Sequence, residues 1–138
     1  MHLDRALSFA RQYRNGVLVT LKRDGRPQLS NITYLVGDDG VIRISITADR
    51  AKYVNLKRDQ RASLHVTQPD FWGYVVVDAD ADVAPVAASP DDATVEELVE
   101  LYRAVQGEHP DWDDYRAAMV NDRRLVVRLP VGRVYGMG

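Results

Sequence analysis

The chain has 138 residues, of which 46% are hydrophobic and 28% are charged, and this predicts one globular domain over residues 1–138 with enough chain to bury a core. The absence of cysteine excludes disulfides, thiol catalysis and thiolate metal sites, and no apolar run approaches the ~20 residues of a membrane-spanning helix. The net charge of −2 argues against nucleic-acid binding, and because the N-terminus lacks a signal-peptide core we expect a cytoplasmic protein.

Turn signals divide the first third of the chain into short elements. The predicted elements are a helix over residues 4–13 and strands over residues 17–21, 28–36 and 41–47. The pairs Asp24-Gly25 and Asp39-Gly40 predict tight turns between consecutive strands. Strands that are joined by tight turns pair antiparallel, so this part of the chain is predicted to form a meander.

The third predicted strand runs directly into a short helix. Ile42, Ile44 and Ile46 alternate with polar residues, which is the period of a strand with one buried face. The pattern then changes to that of a helix over residues 50–58, and Asp49 is its predicted N-cap.

Two cations fall in the first turn of this helix. The helix dipole disfavours positive charge there, yet Arg50 and Lys52 lie beside free backbone N–H groups. Such an arrangement suits a bound phosphate or carboxylate. The alternative is a solvated basic face on an ordinary surface helix, and the residue types alone leave both possibilities open.

The rest of the chain continues the same mixture of strands and helices. The predicted elements are strands over residues 61–67, 74–86 and 125–129, an extended end over 131–135, and helices from Ser89 to Gly107 and over 113–121. About six antiparallel strands with a few helices predict a small β-barrel of the α+β, mainly β class. The three histidines, His2, His65 and His109, have no spacing that would gather a metal ion, and we predict no metal site.

Polar residues on two neighbouring strands point to a ligand. Gln28, Ser30 and Tyr34 share one face of the second strand, and Ser45 and Thr47 share the polar face of the third. If the strands are adjacent, these rows would offer hydrogen bonds to a flat heterocycle whose phosphate tail reaches the basic corner. The alternative is that both rows face water. Two aromatic residues after a Pro-Asp turn, Trp72 and Tyr74, fit either the core or a lid.

The sequence resembles the flavin and deazaflavin oxidoreductases of the split β-barrel fold, the group that includes pyridoxamine 5′-phosphate oxidase. The stretches that carry the family resemblance are 16–21, 24–31 and 50–63. A second set is similar to the actinobacterial branch that uses the deazaflavin F420: Pro90-Asp-Asp, Val95-Glu-Glu-Leu, Tyr102-Arg, Gly107-Glu-His, residues 111–116, Met119-Val, Asp122-Arg-Arg and Leu129-Pro.

The resemblance implies an F420H2-dependent reductase that acts on an unidentified small organic substrate. It also implies a homodimer with cofactor sites in grooves between the subunits. By analogy, Arg50 and Lys52 hold the phosphate or glutamyl tail with Asn55 nearby, and Trp72 or Tyr74 closes the ring from the partner chain. The residues expected to line the ring are Gln28, Leu29, Ser30, Ser45, Ile46 and Thr47.

Two other readings stay open at this level. The C-terminal motifs favour F420 over FMN, but an FMN-dependent oxidase or reductase of the pyridoxamine-oxidase type is one alternative, and a non-catalytic F420 carrier on the same barrel is the other. The residues assign no obligate acid or base. If F420 is the cofactor, hydride chemistry belongs to it and the protein positions the reactants.

Overall fold

The computed structural model describes all residues, 1–138, and contains nine strands and four helices. The helices are α1 Leu3–Arg11, α2 Ala51–Arg58, α3 Ala93–Gln106 and α4 Trp112–Asn121. The strands are β1 Asn15–Leu21, β2 Pro27–Thr33, β3 Leu35–Val36, β4 Ile42–Thr47, β5 Arg61–Thr67, β6 Tyr74–Asp80, β7 Asp82–Val83, β8 Arg124–Leu129 and β9 Val131–Met137.

The strands form two antiparallel sheets around one core. The first sheet has the order β2-β1-β5-β6-β9 and the second has the order β3-β4-β8-β7. Alternate residues of both sheets point inward, for example Leu64 and Val77 from the first sheet and Ile44 and Val127 from the second, and all four are completely buried. These side chains belong to a single hydrophobic cluster, which explains why the alternating pattern of the sequence predicts the strands well. The predicted α+β, mainly β class is confirmed.

The helices occupy different positions around the sheets. Helices α3 and α4 cover the outer face of the second sheet, where Val126 packs with Val95, Leu98 and Met119 in a second hydrophobic cluster. Helix α1 contributes Leu7 and Phe9 to the main core. None of the helices combines the length and the apolar character that crossing a membrane requires.

The structure corrects the predicted strand over residues 28–36, which is two strands separated at Tyr34. The Tyr34 side chain is buried, and its hydroxyl donates a hydrogen bond to the carbonyl oxygen of Ala10 at 2.7 Å. The backbone leaves the first sheet at this residue, because β3 pairs with β4 in the second sheet.

A similar transfer divides the predicted long strand over residues 74–86. Strand β6 ends at Asp80, and β7 pairs with β8 in the second sheet. The strand prediction missed both transfers because alternation reports which face is buried but not which sheet a residue joins.

The predicted N-cap of α2 is also wrong. Arg50 occupies the N-cap position, and no side chain caps the helix. The Asp49 carboxylate instead accepts a hydrogen bond from the Thr47 hydroxyl at 2.5 Å. The first turn of α2 therefore begins without an acidic partner.

Candidate functional site

A groove of about 590 Å³ lies between the second sheet and the C-terminal half of α3. Its floor is the outer face of β4 and β8, where the Thr47 and Arg124 positions are paired across the two strands. Residues 31–34 line one side, and α3 and α4 line the other. Arg50 and Lys52, at the start of α2, also line the groove. The volume falls in the range of small-molecule and cofactor sites.

The groove is lined by four cations and by no Asp or Glu residue. Three of the cations, Arg50, Lys52 and Arg124, form no salt bridge with any carboxylate of the chain. Burial of the Lys52 ammonium group, reinforced by the nearby Arg50, holds its pKa below the usual range. Unpaired cations repel one another, so an anion bound among them gains their combined attraction.

The start of α2 adds backbone donors to this cationic lining. The N–H groups of Ala51 and Lys52 have no hydrogen-bond acceptor in the chain, whereas the Tyr53 N–H is bonded to the Arg50 carbonyl. Free N–H groups at the N-terminus of a helix carry partial positive charge and are available to donate hydrogen bonds to a bound ligand. The backbone and two side chains therefore favour the same kind of ligand, an anion.

The fourth cation, Arg43, is already neutralised. Its guanidinium binds Asp39 at 2.8 Å and Glu97 of α3 at 3.1 Å, and Glu97 also binds Arg128. Burial raises the pKa of Glu97, but the hydrogen bonds from Arg128 and Arg43 outweigh burial and hold that pKa below the usual value. This ionic cluster fixes α3 on the second sheet and so sets the width of the groove.

The floor of the groove supplies hydroxyl groups. Ser45 and Thr47 project from the outer face of β4, while Ile44 and Ile46 point into the core. The Ser45 hydroxyl accepts a hydrogen bond of 3.3 Å from Arg124, which holds this arginine over the floor. The floor can therefore hydrogen-bond the edge of a ring, and the cations lie beside it.

Five of the predicted site residues line the groove together, namely Ser45, Ile46, Thr47, Arg50 and Lys52. They come from one continuous strand-to-helix segment, so their proximity follows from local structure. Ile46 contributes mainly backbone, because its side chain is buried in the core.

Three other predicted residues form a separate hydrogen-bond network away from the groove lining. Thr20 donates to Gln28 at 3.1 Å and accepts from the Asn55 amide at 3.1 Å, and Gln28 donates to Ser30 at 3.0 Å. The Asn55 oxygen accepts from Arg58, and the Asn55 side chain is buried. This network attaches α2 to β1 and β2.

The remaining predicted residues lie on or beside the first sheet. Leu29 is 61% exposed on β2, an edge strand, and Trp72 is 80% exposed in the loop between β5 and β6. Tyr74 follows that loop and lies against the His65 ring, with centroids 5.7 Å apart. None of the three lines the groove of its own chain. Their expected role, closing the site of a partner chain, stays a prediction.

Sequence reasoning missed Arg124 and Tyr102, both of which line the groove. Arg124 reaches the site only because β8 pairs with β4, and Tyr102 reaches it only because α3 covers that sheet. The alternation of Arg124 with the buried Leu125 indicates an outward side chain, but it does not identify the neighbouring strand. No group of three or more His, Asp or Glu side chains is arranged to hold a metal ion.

Solved structures with the same fold cover almost the whole chain. A conserved hypothetical protein, Rv2991 from Mycobacterium tuberculosis, has 26% identity and a TM-score of 0.77, with 99% of this chain and 84% of that one covered. An F420 reductase has 23% identity and a TM-score of 0.69, with coverages of 93% and 94%. HutZ, the haem storage protein from Vibrio cholerae, has 16% identity and a TM-score of 0.71, with coverages of 100% and 96%.

These likenesses confirm the predicted fold. Residues 3–138 also match the family described as pyridoxamine 5′-phosphate oxidase, from the first helix to the last residue. The resemblance inferred from the motifs is therefore confirmed at the level of the family, and the chain belongs to the pyridoxamine 5′-phosphate oxidase family.

Proposed function

We propose that the protein is an F420H2-dependent reductase that transfers a hydride from the deazaflavin cofactor to a small organic molecule. The observation that carries this proposal is the groove lining, with three unpaired cations and no carboxylate beside a hydroxyl-bearing floor. F420 carries a phosphodiester and several carboxylates attached to a flat ring, which matches both parts of the groove. The likeness to an F420 reductase over 93% of the chain supports the same choice.

Each part of the groove has a defined task in this proposal. Arg50, Lys52 and the free N–H groups at the start of α2 hold the anionic tail through charge-assisted hydrogen bonds. Ser45 and Thr47 hydrogen-bond the edge of the ring, and Arg124 is kept beside them. When bound, F420 supplies hydride at its C5 carbon, so the chain itself needs only to bind, orient and exclude water.

The other ligands of related folds fit this groove less well. FMN carries a single phosphate, whereas three unpaired cations line the groove. A haem would find no imidazole ligand there, because His2, His65 and His109 all lie outside the lining. The haem storage protein therefore shares the fold with this chain and offers no argument about its ligand.

The first sheet supports the proposal that two chains form a homodimer. Its outer face carries Tyr135 and Met137, which are 51% and 67% exposed, beside the half-buried Val17 and the buried Val76 in neighbouring strands. Exposed apolar side chains that lie together are typical of a surface that a partner covers. In this proposal a second copy covers the face and places its Trp72 near the first groove.

One titration tests the cofactor choice. F420 and FMN are added separately to the same purified protein, and binding is followed by the fluorescence of each cofactor. We expect F420 to bind with at least tenfold higher affinity. Tighter binding of FMN would overturn the choice in favour of an FMN enzyme, and tight F420 binding without turnover of any acceptor would indicate a carrier.

A double variant tests the site itself. Replacing Arg50 and Lys52 by Ala removes two charge-assisted interactions, each worth roughly 1.5–3 kcal/mol, so the Kd for F420 should rise by about 100-fold or more. The matched control is Lys57→Ala, which removes a cation in the last turn of the same helix, outside the groove. Unchanged F420 affinity in a folded double variant would contradict this site.

The assembly is tested by sedimentation equilibrium. We expect the wild-type chain to sediment as a dimer of two 15.5 kDa chains, and Met137→Lys to shift it toward monomer because an ammonium group would be buried. A wild-type monomer at micromolar concentration would reject the dimer.

A further inference from the structure

The α3 side of the groove differs in chemistry from the rest of its lining. Twelve of the twenty acidic residues lie between residues 78 and 114, yet none of their carboxylates lines the groove. On α3, Glu96 binds Arg116, Glu97 binds Arg43 and Arg128, and Glu100 binds Arg103. The acidic helix therefore presents only uncharged groups to the groove. These groups are Leu98, Leu101, Tyr102, Val105 and Gln106, which we call the α3 wall.

Within the α3 wall, Tyr102 has a fixed ring and an unused hydroxyl. Its ring contacts His109, Trp112 and Tyr115, with centroid separations of 5.2, 5.7 and 5.0 Å. The Tyr115 hydroxyl is occupied by a hydrogen bond to the Leu98 carbonyl, whereas the Tyr102 hydroxyl bonds to no group of the chain. A ring held by three aromatic neighbours with a free hydroxyl at a groove is a preorganised hydrogen-bond donor.

We propose that the α3 wall binds the molecule that is reduced, and that this molecule is an apolar carbonyl compound that is neutral or anionic. The half-buried Leu101 and Val105 contact its apolar body, and the Tyr102 hydroxyl donates a hydrogen bond to its carbonyl oxygen. In the proposed function the anionic tail of F420 pairs with Arg50 and Lys52, and Arg43 is already paired with Asp39 and Glu97. Arg124 stays unpaired in the lining, so a compound with a fixed positive charge is rejected. The reduction of this molecule rests on the proposed function, because F420 supplies the hydride. The binding of the molecule to the α3 wall does not depend on it.

Three naphthoquinones of different charge provide the test. They are 2-methyl-1,4-naphthoquinone, a sulfonated analogue and an analogue with a trimethylammonium-alkyl group. Binding to the full chain is measured by equilibrium dialysis, with the quinone quantified by absorbance. The absence of cysteine prevents thiol adducts with the quinones. We expect the ammonium analogue to bind at least about tenfold more weakly than the neutral quinone.

Two variants localise this selectivity to the α3 wall. Tyr102→Phe keeps the ring and removes the donor, so affinity for all three quinones should fall by about three- to tenfold. Gln106→Glu adds a carboxylate with almost no change of shape, so the ratio of ammonium to sulfonate affinity should rise by about tenfold. Ala104→Glu is the matched control, because it adds the same charge to an exposed position of α3 outside the groove.

The outcomes separate this proposal from the proposed function. Equal binding of the ammonium and neutral quinones, or unchanged affinities in both Tyr102→Phe and Gln106→Glu, would overturn the proposal. F420 is titrated against the same variants. Charge-selective quinone binding without F420 binding would support the α3 wall while rejecting the F420 reductase. F420 binding without charge-selective quinone binding would support the F420 reductase while rejecting the α3 wall.

Discussion

Asn55 is a predicted cofactor contact that the structure places inside the protein. Its amide nitrogen donates to the Thr20 hydroxyl at 3.1 Å, and its oxygen accepts from Arg58 at 3.2 Å. The side chain is 7% exposed and does not line the groove. Asn55→Ala should therefore lower the free energy of unfolding without changing F420 affinity.

The size of the effect follows from what remains after the amide is removed. Thr20 keeps its hydrogen bond to Gln28, and Arg58 keeps its bond to the Leu21 carbonyl, so neither partner is left entirely unsatisfied. Two lost hydrogen bonds of about 1 kcal/mol each are partly offset by the higher helix propensity of Ala. The expected destabilisation is about 1.5 kcal/mol.

Urea unfolding followed by circular dichroism measures this change. For a chain of this size, 1.5 kcal/mol moves the unfolding midpoint by about 1 M. Wild type and Asn55→Ala are compared at one protein concentration, with Lys57→Ala as an exposed control on the same helix. An unchanged midpoint together with a tenfold or larger loss of F420 affinity would refute the reasoning and return Asn55 to the site.

Two further predictions concern the ionic cluster and the last strand. Glu97→Gln should cost about 1–2 kcal/mol at pH 7, because Arg43 and Arg128 each lose a carboxylate but keep another. The folded-state pKa of Glu97 lies below its ordinary value of 4.5. The stabilisation by its carboxylate is therefore complete above pH 4.5 and is lost as the pH falls further. The difference in the free energy of unfolding between wild type and Glu97→Gln, measured in urea, should shrink in that lower pH range. Gly136→Ala should lower the melting temperature more than Gly132→Ala, because Gly136 has φ of +144° and an added Cβ would collide with the Tyr74 carbonyl oxygen.

The part of the site that sequence predicts well is the part built by local structure. In β4 the buried Ile42, Ile44 and Ile46 force Ser45 and Thr47 outward, so alternation predicts the polar floor correctly. The same chain segment then turns into α2, which brings Arg50 and Lys52 to the end of that floor. No long-range information is needed for these four groups.

The remaining lining depends on contacts that no short stretch encodes. Arg124 lies 79 residues from Ser45 in sequence and reaches it through the pairing of β4 with β8. Gln28 and Ser30 were predicted to line the site, and the structure places them outside it. They share a face as predicted, but that face turns toward Thr20 and Asn55. A polar residue type indicates that hydrogen bonds are made but does not say whether their partner is a ligand or the protein.

The charge distribution links these local and long-range features. A net charge of −2 conceals the separation between an acidic segment, residues 78–114, and the cations of the groove. Of the four arginines that the acidic side chains of α3 bind, only Arg43 lines the groove, and so these carboxylates do not neutralise Arg50, Lys52 or Arg124. If one of these carboxylates turned into the groove, it would pair with a cation and abolish the attraction for an anion. The ionic contacts of α3 therefore do more than fix the helix, because they keep the anion-binding groups of the groove unpaired.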